Sequence, residues 1–391
     1  MSTWTQVRAA DFIDFNPRLS IKKGAIATKI AMDKLQPFTK KIPMTEKAEF
    51  AGGSKFCNGD TIMARITPCL ENGKTAFVDV LDDGEVGFGS TEFIVLRAKK
   101  GISDPQFVYY LATSPVFRNI AIKSMVGSSG RQRVQQSVLD ELELTVPPLQ
   151  EQERIGSFLA ILDEKIALNN KINDNLQQQA ATVFHQWFVA NPESEKWPSV
   201  TLDSLTSLVS RGIAPKYTDD STQIVLNQKC IRDHYIDISL ARRHNPKVIN
   251  EKWLQYGDLL INSTGEGTLG RAAQVWFVPE NMTVDSHITI VRPKDPHLLF
   301  YIGLWGISHE REIEALHTGS TGQTELPRER VKAMELRLPD NDTLARFNAV
   351  IAPIVSLIIT NQQENVRLAS VRDSLLPKLM SGEIDVSDIQ L

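Results

Sequence analysis

Apolar side chains recur at alternating steps of four and three through Ile155, Leu159, Leu162 and Ile166, and again through Leu176, Ala180, Val183 and Trp187. This spacing predicts one long helix whose seam packs against another helix. The two rungs between those runs are polar, Asn169 and Asn173, where leucine would bury more apolar surface. Adding 192 to each number gives a second seam: Phe347, Ile351, Ile354, Ile358, Asn361, Asn365, Leu368, Arg372, Leu375 and Leu379. Asparagine returns on the same two rungs.

The segments before the helices are duplicated as well. "WTQV" at Trp4 returns as "WPSV" at Trp197, "GDTIMARIT" (59–67) as "GDLLINST" (257–264), and "GSSG" (127–130) as "GSTG" (319–322). "LELTVPP" (142–148) is echoed by "MELRLPD" (334–340). A repeat of this length means one supersecondary plan used twice. The fold class expected is a tandem pair of mixed α/β (α+β) domains separated by two long antiparallel coiled-coil helices, with pseudo-two-fold architecture. Residues 1–149 form the first domain, 150–191 the first helix and 192–339 the second domain. Residues 340–380 form the second helix and 381–391 a tail. Strands are expected near 61–66, 75–80, 93–98 and 141–146, with a helix near 105–122. The second copy repeats them near 258–262, 273–277, 287–292 and 333–338, with a helix near 297–316.

Each seam runs for about 33 residues, roughly 50 Å at 1.5 Å per residue, too long to bury against one small domain. Pairing the two helices antiparallel sets Ile155 against Leu379, Asn169 against Asn365, Asn173 against Asn361, and Trp187 against Phe347. One layer is mismatched, Leu162 against Arg372, and the arginine is expected to snorkel to the edge. A parallel pair would also match the asparagines, but the second domain would then have to bridge the whole helix length. Asn–Asn rungs cost stability and penalise slipped registers, because a shifted Asn faces an aliphatic side chain. The alternative is a polar stretch facing water. Pro353 should bend the second helix near its start. Two related domains on a rigid spacer suit a target with two separated marks, such as a split DNA sequence.

Composition narrows the class. The chain has 391 residues, 42% hydrophobic and 23% charged, as in ordinary globular proteins. "MSTWTQVRAADF" lacks the apolar core of a signal peptide, and "AVIAPIVSLII" (349–359) is too short to span a bilayer. A soluble cytoplasmic protein without a membrane partner is expected. The net charge of −4 is unevenly spread: residues 1–150 carry +3 and residues 151–195 carry −4. Acidity therefore belongs to the helices, and binding of nucleic acid by the domains stays open. Cys57, Cys69 and Cys230 make no pair motif, and the seven histidines show no metal spacing. "GEGTLG" (265–270) fits G-x-G-x-x-G, but a strand follows it where a dinucleotide site needs a helix. "PCLENGKT" (68–75) has Pro68 where a phosphate loop needs glycine. Both read as turns, and no catalytic or metal constellation emerges.

Three stretches carry a resemblance: "GDTIMARITPCLENGKTAFV" (59–78), "GSSGRQRVQQSVLDELELTVPPLQEQERIGSFLAILDEKI" (127–166) and "RDSLLPKLMSGEIDV" (372–386). In these the chain resembles the DNA-specificity (S) subunits of type I restriction–modification systems. The second junction, "RLPDNDTLARF", departs from the pattern of "TVPPLQEQERI". The resemblance implies two target-recognition domains with no catalysis of their own, reading double-stranded DNA. It implies assembly with two methyltransferase (modification) subunits and two restriction (nuclease/translocase) subunits. No cofactor is expected on this chain, with S-adenosylmethionine, ATP and Mg in the partners. The acidic helices would be the docking surface for the methyltransferases.

Candidate DNA contacts cluster in the Gly-rich loops, whose hydroxyl, amide and guanidinium groups can reach phosphates or base edges. In the first copy these are Lys123, Ser128, Ser129, Arg131, Gln132 and Arg133, with Arg131 and Arg133 foremost. In the second they are Thr318, Ser320, Thr321, Gln323 and Thr324. Arg65, Lys74, Lys229, Arg232 and Arg271 complete the set, and for each a solvated surface role is the alternative. Two other functions stay open: a self-contained nucleic-acid-modifying enzyme, against which the missing motifs speak, and a protein-interaction scaffold that never meets DNA.

Overall fold

The computed structural model describes residues 4–247, 249–265, 267–319 and 324–386. The chain divides into two units, residues 1–169 with 363–391 and residues 170–362. Each unit combines one domain with part of both long helices, Leu149–Phe184 and Asn341–Met380.

In the first unit a central antiparallel sheet has the order Ile13–Phe15, Phe93–Ala98, Thr61–Ala64, Thr75–Phe77. Its strands alternate between two cores, as a pleat must. Met63, Ile94 and Leu96 face a layer containing the helix Pro105–Thr113, Ile155, Leu159 and Leu379. Ile62, Ala76, Phe93 and Val95 face Ile30 and Phe56 on the other side. That second layer is a further sheet, Glu46–Glu49, Ile26–Ile30, Gly87–Gly89, Ser54–Phe56, which the hydrophobic pattern did not predict. The single helix expected near 105–122 is two, Pro105–Thr113 and Pro115–Lys123. Ser114 between them is extended because Pro115 disfavours helical backbone before it.

The second unit repeats the plan. Its sheet has the order Thr206–Arg211, Ile288–Pro293, Leu259–Asn262, Ala272–Gln274, with Leu299–Ser308 and Glu310–Ala315 as the paired helices. The "GD" of each copy has a structural reason. Gly59 and Gly257 turn with φ of 92° and 91°, a region that side chains disfavour. The aspartates after them are buried and hold an arginine from the neighbouring strand: Arg97 donates to Asp60, and Arg292 to Asp258, each through Nε and Nη2 at 2.7 Å.

Within each unit the long helices run antiparallel. In the first, Asn169 Nδ2 donates to Asn365 Oδ1 at 2.9 Å, and Lys165 meets Glu364. In the second, Asn361 Nδ2 donates to Asn173 Oδ1 at 2.9 Å, while Phe184 packs edge-on and Trp187 tilted against Phe347. Arg372 differs from expectation. Its side chain is only 14% exposed and is bound to Asp163, itself 6% exposed. A carboxylate one position off the seam gives the guanidinium a partner inside, so it does not snorkel to the edge. The second helix is assigned without interruption through Pro353. By length and composition it is apolar enough to cross a membrane. Its Phe347, Ile351, Val355 and Ile358 are fully buried in the core of the second unit.

Candidate nucleic-acid interface

The Gly-rich loop of the first copy springs from a short bridge. Arg133 pairs through its backbone with both Ile66 and Val126, so the loop returns beside the end of the central strand. Ser128, Ser129 and Arg131 are exposed, and Lys123 is exposed at the end of its helix. Gln132 is half-buried, its carbonyl accepting from the Thr67 amide at 3.0 Å. Arg133 is committed to Glu92, with Nη2 at 2.6 Å from Oε1, and the guanidinium holds the Glu92 carboxyl below the usual carboxylate range. Arg131 is therefore the loop arginine with its side chain in water, and Arg133 anchors the loop. Lys74 lies apart from both, donating to the Met32 carbonyl at 2.9 Å.

Beside this anchor is a groove of about 510 Å³ containing Arg65. Its other cations are Arg18 and Lys55, and its walls include Asn16, Ser54, Thr91 and Phe93. Three cations and no carboxylate line it, an electrostatic character that suits an anionic backbone. The buried Nε of Arg65 has no hydrogen-bond partner among the described residues. Sequence reasoning found Arg65 but missed Arg18, in the segment after the strand Ile13–Phe15, and Lys55, inside the strand Ser54–Phe56, which only the fold joins.

The second copy places its own groove, about 310 Å³, at the matching point, lined by Ser210, Arg211, Lys252, Glu325 and Arg328. Glu325 bridges to Thr264 and Thr318 as Arg133 bridges to Ile66 and Val126. The anchor here has the opposite polarity: Glu325 on the loop is bound by Arg211 at 2.7 Å. Thr318 and Thr324 flank the loop, whereas Ser320, Thr321 and Gln323 lie outside the described residues. Lys229 and Arg232 are exposed on a turn that Gln228 ties to Thr264, with Nε2 at 2.7 Å from Oγ1. Arg271 is half-buried after the 267–270 turn, and the strand Ala272–Gln274 follows it. The "PCLENGKT" segment is likewise a turn leading into the strand Thr75–Phe77. Among the described residues no group of three or more His, Cys, Asp or Glu is placed to hold a metal ion.

Two copies of one domain, each with a basic groove beside an ion-pair-anchored loop and each packed on antiparallel helices, define a duplicated recognition scaffold. Residues 1–178 match the family described as the type I restriction modification DNA specificity domain. The chain is 25% identical to the type I restriction enzyme MjaIX specificity subunit of Methanocaldococcus jannaschii, over 73% of this chain and 70% of that one. It is 23% identical to the HindI specificity subunit of Haemophilus influenzae, over 83% of this chain and 86% of that one. The crystal structure of the S subunit of a type I restriction-modification system from M. genitalium shares the fold. It covers 97% of this chain and 96% of its own, with a TM-score of 0.56 at 14% identity. In these matches the chain is similar to the type I restriction–modification specificity subunits.

Proposed function

We propose that this chain is the DNA-reading subunit of a type I restriction–modification enzyme and that each domain reads one half of a split target. The observation that carries this reading is the basic groove repeated at one point of the fold in both copies, beside a loop of hydroxyl, amide and arginine side chains. Groove cations hold phosphates in place, and the loop groups are left to face base edges. The loop side chains differ between copies, Arg131 and Gln132 in the first against Thr318 and Thr324 in the second, so the two half-sites differ in sequence.

The long helices serve the partners. In the first unit Ile161, Leu168, Val366 and Val371 are exposed on them, and in the second Val350 and Leu357. These apolar positions amid acidic residues are the surface on which two methyltransferase subunits dock, bringing S-adenosylmethionine to adenine N6. Two ATP- and Mg-dependent restriction subunits complete the assembly in the cytoplasm.

The test is selection from a random duplex library by the chain with a methyltransferase partner, followed by footprinting. Two short specified blocks separated by an indifferent gap are expected. A single continuous block, or enrichment of no sequence, overturns the reading.

A further inference from the structure

A cavity of about 60 Å³ lies in the first unit, where the first domain meets the end of the second long helix. Its size corresponds to about four to six water-sized bodies, the extent of one tetrahedral oxyanion. Among the described residues, two polar atoms at its wall are buried without a hydrogen-bond partner: Thr75 Oγ1, on a side chain 2% exposed, and Arg118 Nε. A buried donor left unpaired is destabilising, so such atoms mark a place where something is received.

Arg118 and Arg372 line the cavity together with two carboxylates, Asp163 and Asp373; both carboxylates are bound by Arg372, which leaves Arg118 as the cation facing the void. Arg118 has no such partner; its Nη2 donates only to the carbonyls of Leu70 and Glu71, and burial alone lowers its pKa. Behind the wall, Lys40 sits 3.3 Å from the Tyr110 hydroxyl among three aromatic rings, a further cation without a carboxylate in contact. The rim is Phe38, 59% exposed, with its ring 5.2 Å from the Arg118 guanidinium and its backbone held at φ +54°. Strain of that kind in a non-glycine residue collects at ligand clamps.

The fold does not require this cluster. Thr75 pairs with Met63 as Ala272 pairs with Ile261, so alanine stands at the hydroxyl position in the second copy. By the 192-residue offset Arg118 corresponds to Glu310, Asp163 to Val355 and Arg372 to Ala180. There the Glu310 carboxylate accepts the Ala272 amide, and Val355 and Ala180 are plain apolar core. The second copy has Val355 and Ala180 where the first keeps the Asp163–Arg372 pair, although apolar packing is commonly at least as stable.

We propose that the cavity binds one free tetrahedral oxyanion of the phosphate class, held by Arg118 and Thr75 and covered by Phe38. The site is independent of the DNA-reading grooves. Inorganic phosphate is titrated calorimetrically into the full chain in chloride buffer at constant ionic strength. One saturable site is expected, weakened at least fivefold by Thr75→Val and more than tenfold by Arg118→Gln. Unfolding midpoints in chloride report whether each variant folds, and the near-isosteric Thr75→Val decides the matter if Arg118→Gln does not. Absence of saturable binding in the parent chain, or equal affinity in Thr75→Val, overturns the proposal.

Discussion

Replacing the inner asparagine rung tests what that rung does. Asn173 and Asn361 are 2% and 8% exposed and share one hydrogen bond of 2.9 Å. Asn361→Leu adds about 2 kcal/mol of apolar burial but leaves the Asn173 amide unpaired, at a cost of about 1–3 kcal/mol. Each single variant should therefore lie near the parent in stability. The double leucine variant gains burial twice, about 4 kcal/mol, and loses one hydrogen bond worth about 1 kcal/mol. It should be the more stable by about 3 kcal/mol, and nearly all of that is coupling between the two sites. Urea unfolding followed by circular dichroism measures the cycle through the shift in midpoint. The same proteins go into footprinting, where the leucine pair should blur the spacing between protected blocks, because an aliphatic layer tolerates slipped registers. Additive single effects would refute the coupling. An unchanged, sharp spacing in the double variant would refute the register role.

Asp258→Asn should destabilise the second unit by about 3–5 kcal/mol, since Arg292 is 11% exposed and loses its buried counter-ion. Asp60→Asn should cost less, because solvent already reaches 30% of Arg97, and paired urea midpoints compare the two. Burial depresses Lys40 from 10.5 to about 8 in the folded chain. Between those values the unfolded chain binds the extra proton, so stability should rise from about pH 8 until tyrosine ionisation near pH 10 reverses it. Lys40→Met should abolish that rise in thermal unfolding curves. Removing Arg65 or Lys55 should weaken DNA binding for all sequences alike and lower the slope of log affinity against log salt by about 0.9 each. A change confined to one base position would instead make the residue a base reader.

The helix seam was legible because a single period runs unbroken for dozens of residues and is written twice. The second sheet was not. Its strands Ile26–Ile30, Glu46–Glu49, Ser54–Phe56 and Gly87–Gly89 are three to five residues long and carry Gly, Lys and Glu, so no alternation had room to show. The break at Ser114 was available from the Ser-Pro pair and was overridden by the helical run around it. Arg372 was misjudged because its partner Asp163 is not a seam rung, so heptad reasoning could not find it. The groove cations Arg18 and Lys55 lie 37 residues apart in the sequence, with Arg65 ten residues beyond Lys55. Only strand pairing gathers them. The loop residues were legible by type, but which arginine is bound and which faces water depended on Glu92.

The reversed polarity of the two loop anchors bears on how such a chain is inherited. A recombinant that took the Arg133 loop onto the strand bearing Arg211 would bring two like charges together, and the reciprocal exchange would bring Glu92 to Glu325. A crossover inside a domain would therefore break the latch, whereas exchange of a whole domain would carry it intact.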